Sequence, residues 1–327
     1  MEPLVKVENL KKYFPLGRRL WGKSAHSVRA VDGISFDVNA GETLSLVGES
    51  GCGKTTTGRL VIRLIEPSHG CIRFKGDDIT RHRRKAMRPL RNDLQIIFQD
   101  PYSSLSPRMT VKDIIGEGFG RDSGLGSRDK KDRVLEMMSK VGLRPGHFDR
   151  YPHEFSGGQR QRIGIARAII SNPDFVVADE PLSALDVSVQ AQVINLLFKL
   201  KEEFKLSYLF ISHDLSVVEH ISDRVAVMYL GRLVETATRD RVFQFPRHPY
   251  TQALFSAVPR TQVSQQKERI ILKGDVPSPV NPPAGCHFHP RCHYSQDICT
   301  REPPGFDPVE PDHWVACHFP LKDSKHV

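Results

Sequence analysis

No run of 18 apolar residues occurs anywhere in the chain, and its first residues, Met1-Glu2-Pro3-Leu4-Val5-Lys6, lack the apolar middle of a secretion signal. The expectation is a protein that stays in the cytosol. Cysteine is scarce, six in 327 residues, and without a secretion signal disulfide pairing is not expected. Acidic residues are outnumbered, 38 Asp and Glu against 47 Lys and Arg, which leaves a formal net charge of +9. That balance permits attraction to nucleic acid or to an anionic membrane face and does not choose between them. Much of the excess sits in Arg81-His82-Arg83-Arg84-Lys85 with Arg88 and Arg91, where a solvated basic face is the favoured reading. The length suits two or three cooperating units with a sizeable core.

What is present centres on Gly48-Glu49-Ser50-Gly51-Cys52-Gly53-Lys54-Thr55-Thr56, which fits G-x-x-x-x-G-K-[ST]. An apolar strand-like run, Thr43 to Val47, leads in, and a helix-compatible segment leads out from Thr55. Glycines let successive N–H groups turn inward, and the following helix adds about half a positive charge at its N-terminus. Lys54 suits the outer phosphates of a nucleotide and the Thr55 hydroxyl suits magnesium. Cys52 sits where a helix N-terminus would lower its pKa, although a small side chain filling space is the simpler reading. Cys71 carries no signal.

Before this loop, Val5, Val7, Ile34, Phe36 and Val38 alternate with polar residues, as half-buried strands of an antiparallel layer do. Gly17 to Val28 between them is basic and irregular and reads as a loop. Tyr13-Phe14 places an aromatic ring where it would stack on a base or pack within the strand. After the loop, Leu94 to Phe98 reads as a buried strand ending at Gln99-Asp100, with Pro101 forbidding continuation. Residues 102–172 carry no strong strand signal. Val134, Leu135, Met137, Met138 and Val141 have helical spacing with Gly142 as a stop, so this stretch is expected to be a helical insert too short for a long coiled-coil arm.

Within the insert, Ser156-Gly157-Gly158-Gln159 opens a helical pattern and forms a second anion-binding helix end. Phe175 to Ala178 is a continuous apolar run, as in a parallel strand buried on both faces, and it ends in Asp179-Glu180. The C-terminal ends of such strands are where open α/β sheets place ligands. Asp179 there suits magnesium, and Glu180 suits orienting or deprotonating a water. Ser183 to Asp186 is a loop before an amphipathic helix with Val189, Val193, Leu196, Leu197 and Leu200. Tyr208 to Ser212 is another buried strand and delivers His213-Asp214 to the same kind of edge, where His213 would meet a terminal phosphate. Arg224 to Thr236 reads as two strands about Gly231. From Pro246 the composition changes: His248 to Leu254 leads into a short helix, and Pro277, Pro279, Pro282 and Pro283 make an extended linker.

In this order the motifs resemble the ATP-binding subunit of ABC transporters over about residues 4 to 245. The resemblance implies a P-loop α/β fold with an antiparallel β subdomain, a mostly parallel core sheet, a helical insert and an irregular C-terminal extension. Position by position, Gly48 to Thr55 look like the Walker A loop, Gln99 like the Q-loop glutamine, which also approaches magnesium, and Ser156 to Gln159 like the signature. Asp179 and Glu180 look like the Walker B pair, Asp186 like the D-loop aspartate and His213 like the switch histidine. For the aromatic that stacks on adenine, spacing favours Phe14, with Tyr13 the other candidate. The catalytic set so implied is Glu180, His213, Gln99 and Lys54. One Walker A loop and one signature, with no internal repeat, imply a dimer of ATPase domains.

Residues 246–327 resemble the C-terminal region of the dipeptide and oligopeptide importer ATPases, a branch that includes nickel and glutathione importers. The implied partners are two membrane permeases, a second and usually non-identical ATPase, and an extracytoplasmic peptide-binding protein. The implied location is the cytoplasmic face of the cell membrane, with the chain peripheral to it. A nucleic-acid or ribosome-associated ATPase is the competing class, and neither its coiled-coil insert nor its paired cassettes are present. Four cysteines, Cys286, Cys292, Cys299 and Cys317, crowd the last 42 residues at spacings C-x₅-C, C-x₆-C and C-x₁₇-C. Structural zinc sites usually contain a C-x₂₋₄-C pair, which is missing. Four thiolates on a long irregular tail suit a [4Fe–4S] cluster better, as the resemblance also implies, with zinc and unmetallated thiols as alternatives and His287, His289 and His293 as substitute ligands.

Overall fold

The computed structural model describes residues 2–16, 26–119, 124–257 and 269–322. In chain order its strands are β1 (Val5–Leu16), β2 (His26–Val38), β3 (Thr43–Val47), β4 (His69–Phe74), β5 (Asp77–Asp78), β6 (Leu94–Ile97), β7 (Phe175–Asp179), β8 (Ser207–Ile211), β9 (Arg224–Tyr229), β10 (Arg232–Thr238), β11 (Asp307–Glu310) and β12 (His313–Val315). The α-helices are α1 (Lys54–Val61), α2 (Arg84–Leu90), α3 (Val111–Gly116), α4 (Ser127–Lys140), α5 (Gly157–Ile169), α6 (Val187–Phe204), α7 (Leu215–Ile221), α8 (Arg239–Gln244), α9 (Pro249–Ser256) and α10 (Asp297–Arg301). Most of the irregular segment expected at 17–28 lies outside the described residues, and its last three residues belong to β2. Residues 258–268, ahead of the prolines, also lie outside them.

The chain divides into two compact units. The first comprises Met1–Asp37, Thr43–Thr80 and Ser212–Val327. Its antiparallel layer runs β2-β1-β4-β5, with Val5 opposite Phe74 and Val7 opposite Ile72. The expected strands before the phosphate loop are thus completed by β4 from beyond it. A second run of strands in this unit has the order β11-β12-β10-β9-β3, with β3 and β9 parallel and the others antiparallel. Leu230 and Gly231, both with positive φ, form the two-residue turn between β9 and β10, a conformation that matches strand twist. The C-terminal tail is more regular than expected. The β11–β12 hairpin pairs with β10 through Glu235 opposite Val315, so this part of the sheet is mixed rather than parallel.

The core of this unit ties the C-terminal region to the strands beneath the phosphate loop. Val47, Val227, Tyr229, Tyr250, Phe255 and Phe288 belong to one buried cluster. Tyr229 and Tyr250 rings lie 4.7 Å apart, and Phe288 stands edge-on to Tyr229 at 5.3 Å. Burying a ring such as Phe288 contributes about 2 kcal/mol. Residues 246–327 therefore share a core with the loop instead of trailing from it. The proline-rich linker is irregular, with a turn at Pro279-Val280, and the Pro279 carbonyl accepts from the Arg29 amide of β2 at 3.0 Å.

The second unit comprises Val38–Glu42 and Arg81–Ile211. It holds three parallel strands in the order β8-β7-β6, with Asp179 opposite Ile211 and Ile97 opposite Ala178. β7 and β8 are buried along their whole length, as their unbroken apolar runs require. Helices α3, α4 and α5 fill the insert. α4 stops where expected, with Gly142 in the left-handed region. α6 buries Val193, Leu196, Leu197 and Leu200 along one face and ends at Lys205 in the left-handed conformation.

Candidate active site

In the first unit β3 delivers Gly48 to Gly53 to the start of α1. Gly48 and Gly53 have φ of 151° and 111°, and a Cβ on either would lie 2.1 Å from a backbone oxygen, of Met228 and Ala30 respectively. Only glycine fits either position. Lys54 is buried, and its ammonium donates to the carbonyls of Gly48 at 2.8 Å and Glu49 at 3.1 Å. Two of its three donor directions are thereby fixed to the loop. Thr55 is the second residue of α1, in the helix's first turn, where the helix N-terminus favours anions. Cys52 is buried, and burial pushes its thiol pKa up. Desolvation outweighs the nearby Lys54 charge.

Tyr13 and Phe14 separate in the same unit. The Tyr13 hydroxyl donates to Asp32, which also takes two bonds from Arg232, and the Tyr13 ring stands edge-on to His69 at 6.4 Å. Phe14 is exposed, with the Lys12 ammonium 5.1 Å from its ring centre. His213 is exposed immediately after Ser212, and Asp214 caps α7 by accepting from Ser216 N at 2.9 Å.

In the second unit Asp179 is buried at the end of β7. Glu180 follows with φ of 45°, a left-handed conformation rare outside glycine and found at strained functional positions. Its amide donates to Ile211 O at 3.0 Å, and its carbonyl accepts from Ser183 Oγ at 3.1 Å, so the turn is held on both sides. Gln99 Nε2 donates to Glu180 Oε2 at 2.9 Å. Ser156 caps α5 in a reciprocal box: its Oγ accepts from Gln159 N at 3.4 Å, and Gln159 Oε1 accepts from Ser156 N at 3.1 Å. Ser156 is exposed, and a Cβ on Gly158 would lie 2.4 Å from Val189 Cγ1 of α6. Asp186 is the exposed N-cap residue of α6 and makes no side-chain capping bond. Arg160 stacks over Tyr102 at 4.1 Å, a contact the sequence did not signal.

The four cysteines line one small pocket, together with Phe288 and His289. All four are free thiols. Burial pushes Cys286 and Cys292 up and Cys317 up to about 12. The expected ligand set is not closed: no three His, Cys, Asp or Glu among the described residues stand grouped to hold a single metal ion. Of the three histidines expected as substitutes, His289 lines the pocket, while His248 and His318 line it unforeseen. No helix among the described residues is long and apolar enough to cross a membrane.

Phosphate loop, strand-end carboxylates and a capped Ser-Gly-Gly helix end define a P-loop ATPase of the ATP-binding-cassette type. The ABC transporter family matches residues 31–183, and the family described as the oligopeptide/dipeptide transporter C-terminal region matches residues 234–299. The chain is 53% identical to the oligopeptide transport ATP-binding protein AppF of Bacillus subtilis over 97% of its own length and 98% of the relative's. It is 51% identical to the dipeptide transport ATP-binding protein DppF of Escherichia coli, over 93% and 90%. Its fold matches a dimeric ATP-binding cassette, MJ0796, in a post-hydrolysis state with ADP and phosphate: TM-score 0.64, 25% identity, 72% of this chain and 98% of that one. The chain belongs to the family of ABC transporter ATP-binding proteins and is an ATP-hydrolysing enzyme of that family.

Proposed function

We propose that this chain is the ATP-hydrolysing subunit of a peptide importer. The observation that carries the reading is its likeness, at about half identity and nearly full length, to peptide-transport ATP-binding proteins, C-terminal region included. Its partners are two membrane permeases, a second ATPase subunit and an extracytoplasmic peptide-binding protein, and it sits on the cytoplasmic face of the membrane without entering it. Nucleic acid is not a partner.

Each ATP is held by residues 48–56 of one ATPase subunit and Ser156 to Gln159 of the other. Phe14 supplies the ring for adenine, since Tyr13 is already engaged by Asp32. Lys54 neutralises the outer phosphates. Thr55, Asp179 and the Gln99 carbonyl are oxygen donors of the kind magnesium takes, and the ion supplies charge neutralisation at the phosphate oxygens. Glu180 accepts the proton of the attacking water, with its carboxylate steadied by Gln99. His213 steadies the terminal phosphate. The partner's Ser156 hydroxyl and the first amides of α5 stabilise the charge that develops there, and Asp186 is assigned to the same nucleotide site.

Cys286, Cys292, Cys299 and Cys317 would hold an iron–sulfur cluster in a structural role. What supports a shared group is that all four cysteines line one pocket. An anaerobic preparation with no iron, no sulfide and no visible absorbance would remove it.

The function is tested by reconstituting the chain with its neighbouring-gene permeases and binding protein in vesicles. Peptide uptake and peptide-stimulated ATP hydrolysis are expected together. Uptake that continues with Lys54→Ala in place would refute the reading, and nickel or glutathione uptake in place of peptide would redirect the cargo.

A further inference from the structure

Glu49, the second residue of the phosphate loop, is held from three sides. Its carboxylate accepts two bonds from Arg291, Nη1 to Oε2 at 2.8 Å and Nη2 to Oε1 at 3.1 Å. Its amide donates to the Tyr250 hydroxyl at 2.9 Å. Its carbonyl accepts from Lys54 at 3.1 Å and from Cys52 N at 3.3 Å. Tyr250 and Arg291 lie 201 and 242 residues further along the chain. The Arg291 side chain is only 9% exposed, and Nη1 also reaches the Tyr229 hydroxyl at 3.5 Å. Tyr229 and Tyr250 are anchored in turn against Phe288.

Two physical consequences follow. A bidentate, mostly buried guanidinium–carboxylate pair is both strong and directional, so it fixes the Glu49 peptide. That peptide's carbonyl is one of the two that aim the Lys54 ammonium. Separately, a carboxylate inside a loop that receives a polyanion repels it unless paired, and Arg291 is the pairing charge.

We propose that Arg291 and Tyr250 are positioning residues of the ATP site: by clamping Glu49 they aim Lys54 and cancel the loop's one negative charge, so the cysteine-bearing C-terminal region sets nucleotide affinity. The proposal rests on residues 48–56 being the ATP-binding loop. Because Arg291 directly precedes Cys292, the packing of the cysteine pocket is felt at the phosphates through one side chain.

The test is MgATP affinity of the full chain by calorimetry, with KM and kcat for hydrolysis alongside. Arg291→Ala is expected to weaken binding about tenfold, and Tyr250→Phe, which keeps the ring and removes the hydroxyl, about threefold. In both, the larger change is expected in MgATP affinity and KM, with a smaller fall in kcat, because Lys54 is re-aimed while Glu180 and the signature are untouched. Adding Glu49→Gln to Arg291→Ala is expected to restore most of the lost affinity by removing the unpaired charge, and Arg291→Lys to restore part. A lesion of packing alone would be rescued by neither. Should Arg291→Ala fail to fold, Tyr250→Phe and Arg291→Lys test the same clamp. Unchanged affinity in the Arg291 and Tyr250 variants, with binding lost in Lys54→Ala, overturns the proposal while leaving the loop assignment intact. Unchanged affinity in Lys54→Ala overturns both.

Discussion

Gln99 and Glu180 are joined side chain to side chain, Nε2 to Oε2 at 2.9 Å, across the adjacent ends of β6 and β7. The bond steadies the carboxylate at a residue whose backbone is already in the left-handed region, and it ties that carboxylate to the strand end from which the helical insert departs. Gln99→Ala is therefore expected to lower kcat by about tenfold to a hundredfold, the range for loss of a positioning hydrogen bond at a general base, with smaller effects on MgATP affinity. Steady-state hydrolysis beside equilibrium binding separates the two.

Gly53 makes a backbone prediction. With φ of 111° and the Ala30 carbonyl 2.1 Å from where a Cβ would stand, Gly53→Ala cannot be absorbed by moving a flexible side chain. The variant is expected to lose about 2–4 kcal/mol of stability or to lose MgATP binding outright, whichever gives first. Denaturant midpoints with and without MgATP show which.

Ser156 has a local role besides its proposed contact with the partner's nucleotide. Ser156→Ala breaks the capping box with Gln159 and should remove about 1 kcal/mol from the folded chain. Ser156→Asp restores the cap but places a negative charge where a phosphate is to bind. Its stability should recover while its hydrolysis stays low, and that split distinguishes the anion-binding role from the capping one.

His248 predicts a pH dependence. Burial pushes its imidazole down to about 3, so at neutral pH it is uncharged and its Nδ1 accepts the Tyr250 amide at the start of α9. In the unfolded chain it protonates near 6.5. Between these values the unfolded state binds a proton that the folded state refuses. Its contribution is thus complete above about 6.5 and is lost as pH falls toward 3. His248→Asn keeps a capping acceptor without the titration, and its melting temperature should fall less steeply between pH 7 and pH 5.

Much of this was legible wherever chemistry fixes residue type at fixed spacing. The phosphate loop after β3, the β7 carboxylates, the Ser156 cap and the β9–β10 turn all stand where their patterns place them. Other features depend on contacts that no local pattern encodes. β4 joins β1 from beyond the loop, and the short β11, containing Pro308, carries no alternation to announce that its hairpin extends β10. The four cysteines were conspicuous as a cluster, but only the fold shows them around one pocket that also takes in residues of the His-Pro-Tyr segment. Arg291 reads as an ordinary basic residue between two cysteines until Glu49 is seen opposite it. Cys52 is buried and its thiol pKa is raised, in keeping with the simpler reading of a small, space-filling side chain.

The measurement closest to the central claim is MgATP binding and hydrolysis by Glu180→Gln in the reconstituted transporter. Glutamine keeps a carbonyl oxygen to accept from Gln99 but cannot take the water's proton. The account predicts MgATP affinity within about threefold of the unmodified complex, hydrolysis reduced at least about a hundredfold, and peptide uptake stalled with nucleotide trapped. Near-normal turnover by that variant would contradict it.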